Sequence, residues 1–492
     1  MPVLNIASHT FSSVKKIFSI TIIIALSSLG NGTVQAAGTP DFHFGTMVNP
    51  NDHSPARGAR PLLVILLQAR AGHGVTPALT HDKAYYERRL FGPGYPNVTD
   101  YYKINSFFMT STAVRGGRGM SWRKAAIIGP VIDTTPSSTK INPDVANKEN
   151  SDRRFSSIKA IAATQGFDFG RYDRNRDGTV SEAELGILVI DNFSQIGGVT
   201  SANPGCINIS RPAGGLISVC SGVSFIGEDT NIATFAHELS HQLGTIDLYG
   251  TNCLSKNLSL MSCTAADDLF LSFLDPWHRS RLGWLKPRIF SLSSAGSVFL
   301  AEPSNTYGNA YNKGPIILYD PSRGTNEYFI LEYRARQRDK ANNAYGYDAD
   351  IPHNGVVVWH IKTDSDGNLL SIPDRIPDRL NRKCGEDNDR GIYRTSTAIM
   401  GRRLQANTIQ QPTRLSGIGL SCGKVMSAVV ISPGSPGHPN QWGGSLPWTP
   451  RSGPFFLKWL NDANTGYGQD TGLRFRVYDM DQKGAWIRWD PR

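Results

Sequence analysis

One segment restricts this chain more than any other: His237-Glu238-Leu239-Ser240-His241-Gln242-Leu243-Gly244-Thr245-Ile246-Asp247. Two histidines four residues apart fall on one face of a helix, so both imidazoles can reach a single ion. The pattern predicts a helix over Asn231–Leu243 that stops at Gly244, a residue that readily takes the left-handed conformation at a helix end. The chain can then turn so that Asp247 meets the same ion from another side. Asp267, Asp268 and His278 are further candidates for that third position. Neutral imidazole nitrogen suits Zn²⁺, and a catalytic zinc keeps one position open for water. Glu238 stands beside the histidine face, placed to take a proton from such a water. A purely structural zinc would need a fourth ligand and no general base.

A second motif belongs to a different cation. Asp173-Arg174-Asn175-Arg176-Asp177-Gly178-Thr179-Val180-Ser181-Glu182-Ala183-Glu184 fits the twelve-residue calcium loop of an EF-hand. Oxygen side chains stand at Asp173, Asn175, Asp177 and Ser181, and Glu184 can bind through both oxygens. Thr179 would add its backbone carbonyl, and Gly178 allows the sharp turn. The apolar run Leu185–Ile190 follows at once and reads as a strand, with no second hand in the sequence. Sensors pair two hands and open a groove; a single hand feeding a strand reads as a structural clip. Asp364-Ser365-Asp366-Gly367-Asn368 lacks the rest of such a loop and reads as a turn.

The N-terminus has the order of an export signal. Lys15 and Lys16 precede the apolar stretch Ile17–Leu29, and small residues follow up to Ala36 and Ala37. That stretch is shorter than the roughly 17–25 residues of a membrane span. The expectation is a signal peptide over 1–36, a secreted chain, and no stable membrane insertion. Six cysteines suit an exported protein, and sequence-local pairing gives Cys206–Cys220, Cys253–Cys263 and Cys384–Cys422. The net charge of +10 comes from lysines and arginines scattered among acids, without a basic run. It reads as a solvated surface, and no nucleic-acid partner is expected.

Pro61–Leu67 is a continuous apolar run of strand length, and Asp82–Phe91 and Tyr101–Ser106 read as helices. Beyond about residue 288, short β-prone runs such as Tyr328–Leu331, Val356–Trp359 and Val429–Ile431 alternate with turn residues. The expected class is α+β: a catalytic region over 37–288 holding the calcium loop, then a β-rich region over 289–492. Trp442, Trp448 and Trp459 read as packing residues in that second region. Asn97, Asn192 and Asn208 stand in N-x-S/T triplets.

These features together resemble the immune inhibitor A family of secreted metallopeptidases. The resemblance runs from about residue 60 to 365. It rests on Leu62–Leu67, Leu90-Phe91-Gly92, Tyr101-Tyr102 with Asn105-Ser106, Phe167–Asp173 entering the calcium loop, His237–Asp247, Leu260-Met261-Ser262, Arg281–Leu285, Glu327–Arg334 and Gly355–Ile361. It implies a metzincin-like zinc endopeptidase stabilised by calcium, acting outside the cell on protein or peptide substrates. Carried to matching positions, it makes His237, His241 and Asp247 the ligands of one zinc and Glu238 the base. Met261 becomes the methionine turn beneath the histidines. Tyr249 is a candidate to stabilise an oxyanion, and a monomer is expected. Two rival functions are a zinc hydrolase of cell-wall or glycosylated peptides, and a non-catalytic exported binding protein held together by its metals.

Overall fold

Apolar runs without polar alternation need strands covered on both faces, and the computed structural model of the chain supplies that cover. It describes residues 40–44, 56–69, 78–93, 96–106, 119–133, 158–192, 198–201, 205–248, 258–262, 271–302, 314–336, 346–349, 351, 353–373, 424–426, 428–433, 440–442, 455–458 and 470–491. The fold mixes sheets with a few short helices.

The first half contains β1 (Gly58–Ala69), α1 (Lys83–Phe91), α2 (Val98–Asn105), β2 (Met120–Asp133), β3 (Thr179–Val180), β4 (Gly186–Asp191), β5 (Gly198–Ser201), β6 (Ile207–Ser210), β7 (Leu216–Val219), β8 (Val223–Gly227), α3 (Ile232–His241) and α4 (Pro276–Arg281). A five-stranded sheet runs β2-β1-β4-β8-β5. The first four strands are parallel, and β5 closes one edge antiparallel to β8. On β1, Leu62, Val64 and Leu66 enter the core that holds the helices, while Leu63, Ile65 and Leu67 enter a second core beneath the Asp173–Glu184 loop. This two-sided burial explains the unbroken run. Each fully buried side chain of this kind contributes roughly 1.5–3 kcal/mol.

These four helices start on side-chain caps that the sequence supplies. Asp82, Asn97, Asn231 and Asp275 accept the N–H groups of Tyr85, Asp100, Thr234 and His278. Such a cap is worth about 1 kcal/mol. Asn97 moves the start of α2 three residues ahead of the expected Tyr101, and its side chain is buried in that cap. Asn97 is therefore closed to glycosylation in the folded protein, whereas Asn208 is exposed.

The second half contains β9 (Arg288–Ser291), β10 (Gly296–Ala301), β11 (Ile316–Tyr319), β12 (Glu327–Arg334), β13 (Gly355–Lys362), β14 (Ser371–Pro373), β15 (Lys424–Met426), β16 (Ala428–Pro433), β17 (Asn440–Trp442), β18 (Phe455–Lys458), β19 (Asp470–Asp481) and β20 (Gly484–Pro491). A six-stranded sheet, β17-β16-β13-β12-β11-β9, faces a four-stranded sheet, β10-β20-β19-β18, across a third core. Phe329, Leu331, Val356 and Val358 point into that third core, while Tyr328, Ile330, Val357, Trp359 and Ile361 join the helices of the first half. The six-stranded sheet is thus shared, and one core spans both sides of residue 288.

A buried ionic cluster crosses the same seam. Arg279 on α4 pairs with Glu332 on β12, and Arg334 pairs with both Glu332 and Asp348. Trp359 Nε1 donates to Glu332 (3.0 Å), and Phe273 N–H donates to Asp348 (2.9 Å). Arg334 Nη1 also donates to the carbonyl of Leu258 (3.1 Å), the residue that opens the Met261 turn. Two cations face two anions, so removing one leaves a buried charge uncompensated. Arg334→Leu is expected to cost about 3–5 kcal/mol, read as a lower urea midpoint; a shift under about 1 kcal/mol would show that the cluster relaxes to solvent.

Candidate metal centre

Helix α3 is buried from Ile232 to Ser240, with Ala233, Phe235, Ala236 and Leu239 in the main core. That packing fixes the rotation of the helix and directs His237 and His241 the same way. The chain leaves the helix through Gly244 at φ 93°, in the left-handed region expected for this glycine. Arg281 donates to the Gly244 carbonyl (2.9 Å) and to that of Phe44 (3.0 Å), which holds the turn.

The tautomers of both histidines follow from their partners. Nδ1 of His237 lies 2.9 Å from the Leu260 carbonyl, and Nδ1 of His241 lies 3.0 Å from the Thr245 carbonyl. A carbonyl can only accept, so each Nδ1 carries the hydrogen and the neutral ring presents a lone pair at Nε2. The two Nε2 atoms are 3.2 Å apart and lie 3.1 and 3.2 Å from Asp247 Oδ1. That oxygen is buried with no hydrogen-bond donor. Three electron-rich atoms this close repel unless a proton or a cation sits among them. Tetrahedral zinc with bonds of ~2.0–2.2 Å separates its ligand atoms by about 3.3–3.6 Å, so the donor set fits. Among the described residues, His237, His241 and Asp247 form the group of His, Cys, Asp and Glu side chains able to hold a metal ion.

The electrostatics record the same crowding. Burial disfavours charge on His241, but the adjacent Asp247 carboxylate outweighs it and pushes the imidazole up to about 9. Burial would raise Asp247, yet the two imidazoles hold it well below the usual carboxylate range. Glu238 is buried one residue along the helix, and burial pushes its carboxyl above the ordinary value. Its Oε2 accepts from the Thr200 hydroxyl (2.8 Å).

Met261 is fully buried, with its sulfur 3.5 Å from Thr245 Oγ1, and its carbonyl accepts from Leu248 N–H (2.8 Å). The turn therefore ties the segment carrying Asp247 to the carbonyl that orients His237. His278, a candidate for the third ligand by residue type, is engaged at both ring nitrogens. Nδ1 bonds Asp275 (2.6 Å) and Nε2 accepts from Ile246 N–H (3.1 Å). It positions the residue before Asp247 and does not offer a ligand atom. Asp267, Asp268 and the oxyanion candidate Tyr249 lie outside the described residues. So do Cys253, Cys263, Cys384, Cys422, Trp448, Trp459 and the leader 1–36, while Trp442 is described only as part of β17.

The Asp173–Glu184 loop folds around its own oxygens. Asp173 accepts from the N–H groups of Asp177 and Gly178 (3.1 Å each), and Asn175 Oδ1 from Asp177 N–H (3.2 Å). Asp177 accepts from Thr179 N–H (2.8 Å). Glu184 closes the ring, taking Arg174 N–H on Oε1 (2.7 Å) and the Ser181 N–H and hydroxyl on Oε2 (3.0 and 2.9 Å). Gly178 has φ 82°, the left-handed value the motif needs. The disulfide Cys206–Cys220 joins β6 and β7, and β7 pairs with the loop's exit strand β3. Asp364 accepts from the N–H groups of Asp366 and Asn368 (2.9 Å each), a local turn as expected. No described helix is long and apolar enough to cross a membrane. The chain matches no protein-family model and no curated protein sequence.

The metal-free triad makes stability depend on pH. The folded value of His241, about 9, lies above its unfolded value of ~6.5. Its contribution is complete below ~6.5 and is lost as pH rises through about 9. The melting temperature of chelator-treated protein is expected to fall over that window, and Asp247→Asn to flatten the fall. An equal fall in the variant would remove the pair as its cause.

Proposed function

We propose that this chain is a secreted zinc-dependent endopeptidase with a metzincin-like catalytic region. The carrying observation is the convergence of His237 Nε2, His241 Nε2 and Asp247 Oδ1 beside the buried Glu238 carboxylate. His237, His241 and Asp247 would hold the zinc, which would supply Lewis acidity toward a water and a peptide carbonyl. The chain's own residues supply the rest. Leu260 and Thr245 hold the imidazoles with their lone pairs inward, and Asp247 adds the third donor and a negative charge. Glu238 takes the proton from the attacking water and returns it to the leaving amine, a role favoured by a carboxyl with a raised pKa. Buried Met261 gives the histidines an apolar floor.

Calcium is proposed as a structural ion in the Asp173–Glu184 loop, with ligands from Asp173, Asn175, Asp177, Thr179, Ser181 and Glu184. The loop runs straight into β4, which pairs with β8, the strand that leads to α3. Ordering the loop would steady the sheet under the catalytic helix. Export rests on the leader pattern of residues 1–36, and a protein or peptide is the substrate class. A non-catalytic binding protein would have no use for a buried carboxylate beside the triad, where it adds desolvation cost.

With zinc and calcium present, the protein lacking residues 1–36 is expected to cleave casein. Glu238→Ala should lose at least about 10²-fold in rate while keeping wild-type zinc content. Absence of zinc from both proteins would sink the reading. Calcium should raise the melting temperature of the wild type and leave Glu184→Gln unmoved; an equal rise in both would place the calcium elsewhere.

A further inference from the structure

Edge strand β5 presents two residues of one face, Gly198 and Thr200, to the Glu238 side chain. At Gly198 a Cβ would lie 2.4 Å from Glu238 Cγ and 2.9 Å from its Oε1. Any other residue there would push the carboxylate out of its place. Two residues on, the Thr200 hydroxyl lies 2.8 Å from Glu238 Oε2, 2.9 Å from the Glu238 carbonyl and 2.7 Å from Ser224 Oγ. A residue with space for the carboxylate and a residue that grips it are thus paired on one strand.

The direction of the hydrogen bonds can be read from the other end. The Gln242 amide is fixed against Ile187 on β4: its Oε1 accepts from Ile187 N–H (3.3 Å), and its Nε2 donates to the Ile187 carbonyl (2.9 Å). The second Nε2 hydrogen meets Ser224 Oγ at 2.6 Å. Ser224 must therefore accept from Gln242 and give its own hydrogen to Thr200 Oγ1 or to the Glu238 carbonyl, 3.2 Å away. In both arrangements the Thr200 hydrogen is free for Oε2, and a carboxylate is the strongest acceptor in reach.

We propose that Thr200 is a positioning residue for Glu238: the Gln242 and Ser224 bonds leave the Thr200 hydrogen for Oε2, which keeps Oε2 an acceptor and leaves Oε1 as the oxygen that exchanges protons with water. These bonds tie the base to three strands, β4, β8 and β5. This inference rests on the endopeptidase reading for its meaning in catalysis, but the seat itself is a property of the metal-free fold.

Thr200→Val keeps the shape and removes the hydroxyl, and Thr200→Ser restores it. With zinc bound and casein as substrate, Thr200→Val is expected to lower kcat about 10- to 100-fold. KM and zinc content should stay near wild type, and Thr200→Ser should recover most of the loss. A Thr200→Val kcat within about twofold of wild type, or a Thr200→Ser as slow as Thr200→Val, would overturn the proposal. The second measurement needs no activity. In metal-free protein, Thr200→Val should lower the urea midpoint clearly less in the Glu238→Ala background, where only the Ser224 and Glu238 carbonyl contacts of the hydroxyl remain, than in the wild-type background. Equal drops in both would overturn it too. Should the wild type cleave nothing, the endopeptidase reading fails alone, and the urea cycle still decides whether Thr200 grips Glu238.

Discussion

Two backbone carbonyls, those of Leu260 and Thr245, decide what the centre of this molecule can do. By accepting from Nδ1 they fix each imidazole in the tautomer whose lone pair points inward. Turning either ring over would put a hydrogen where the lone pairs meet and break the arrangement. Both carbonyls lie in irregular segments, one just past α3 and one in the Met261 turn. Their positions therefore depend on everything that holds those segments: Arg281 on Gly244, His278 on Ile246, Leu248 on Met261, and Arg334 on Leu258.

Those supports come from far along the chain, and this explains why the six-stranded sheet cannot be separated from the centre it borders. Strand β12 turns Tyr328 and Ile330 toward the helices while Arg334 and Glu332 carry the buried ionic cluster. The cluster connects β12 to α4, whose cap Asp275 holds both Ser259 and His278. A β-rich region placed after the His237–Asp247 segment in sequence thereby contributes to the core that borders the candidate centre. Ordinary hydrophobic packing would hold the layers together; the directional bonds add a fixed register between them.

Periodic and local signals were legible in the sequence. The helix α3, which ends at His241 a little before the expected Leu243, the left-handed Gly244 beyond it, the strand after the Asp173–Glu184 loop and the Cys206–Cys220 pair all follow from spacing, residue chemistry and proximity. The expected start of α2 at Tyr101 was late because Asn97 caps the helix from within an N-x-T triplet, and capping competes with no periodic signal. His278 looked like a ligand because residue type alone cannot show that both of its nitrogens are already bonded. Thr200 and Gly198 had no sequence signal, since their role exists only once β5 lies antiparallel beside β8 and over α3. What stays hidden from sequence here is long-range: which carbonyl meets which ring, and which hydroxyl meets which carboxylate.

The charge pattern at the centre makes sense of the choice of aspartate as the third donor. Asp247 and Glu238 are two carboxylates next to two imidazoles, a partly buried group that gathers negative charge. Burial makes that charge costly unless a positive charge joins it. In the metal-free protein a proton on His241, held by the Asp247 carboxylate, supplies part of the balance. A divalent cation would neutralise both carboxylates at once, and it would have to displace that proton to bind. A third histidine at Asp247 would leave only the Glu238 charge to be matched, weakening the demand for a dication. The triad and Glu238 are therefore one electrostatic unit: the Asp247 carboxylate between the imidazoles and the Glu238 carboxylate that Thr200 holds beside them together set the charge that a bound cation would have to balance.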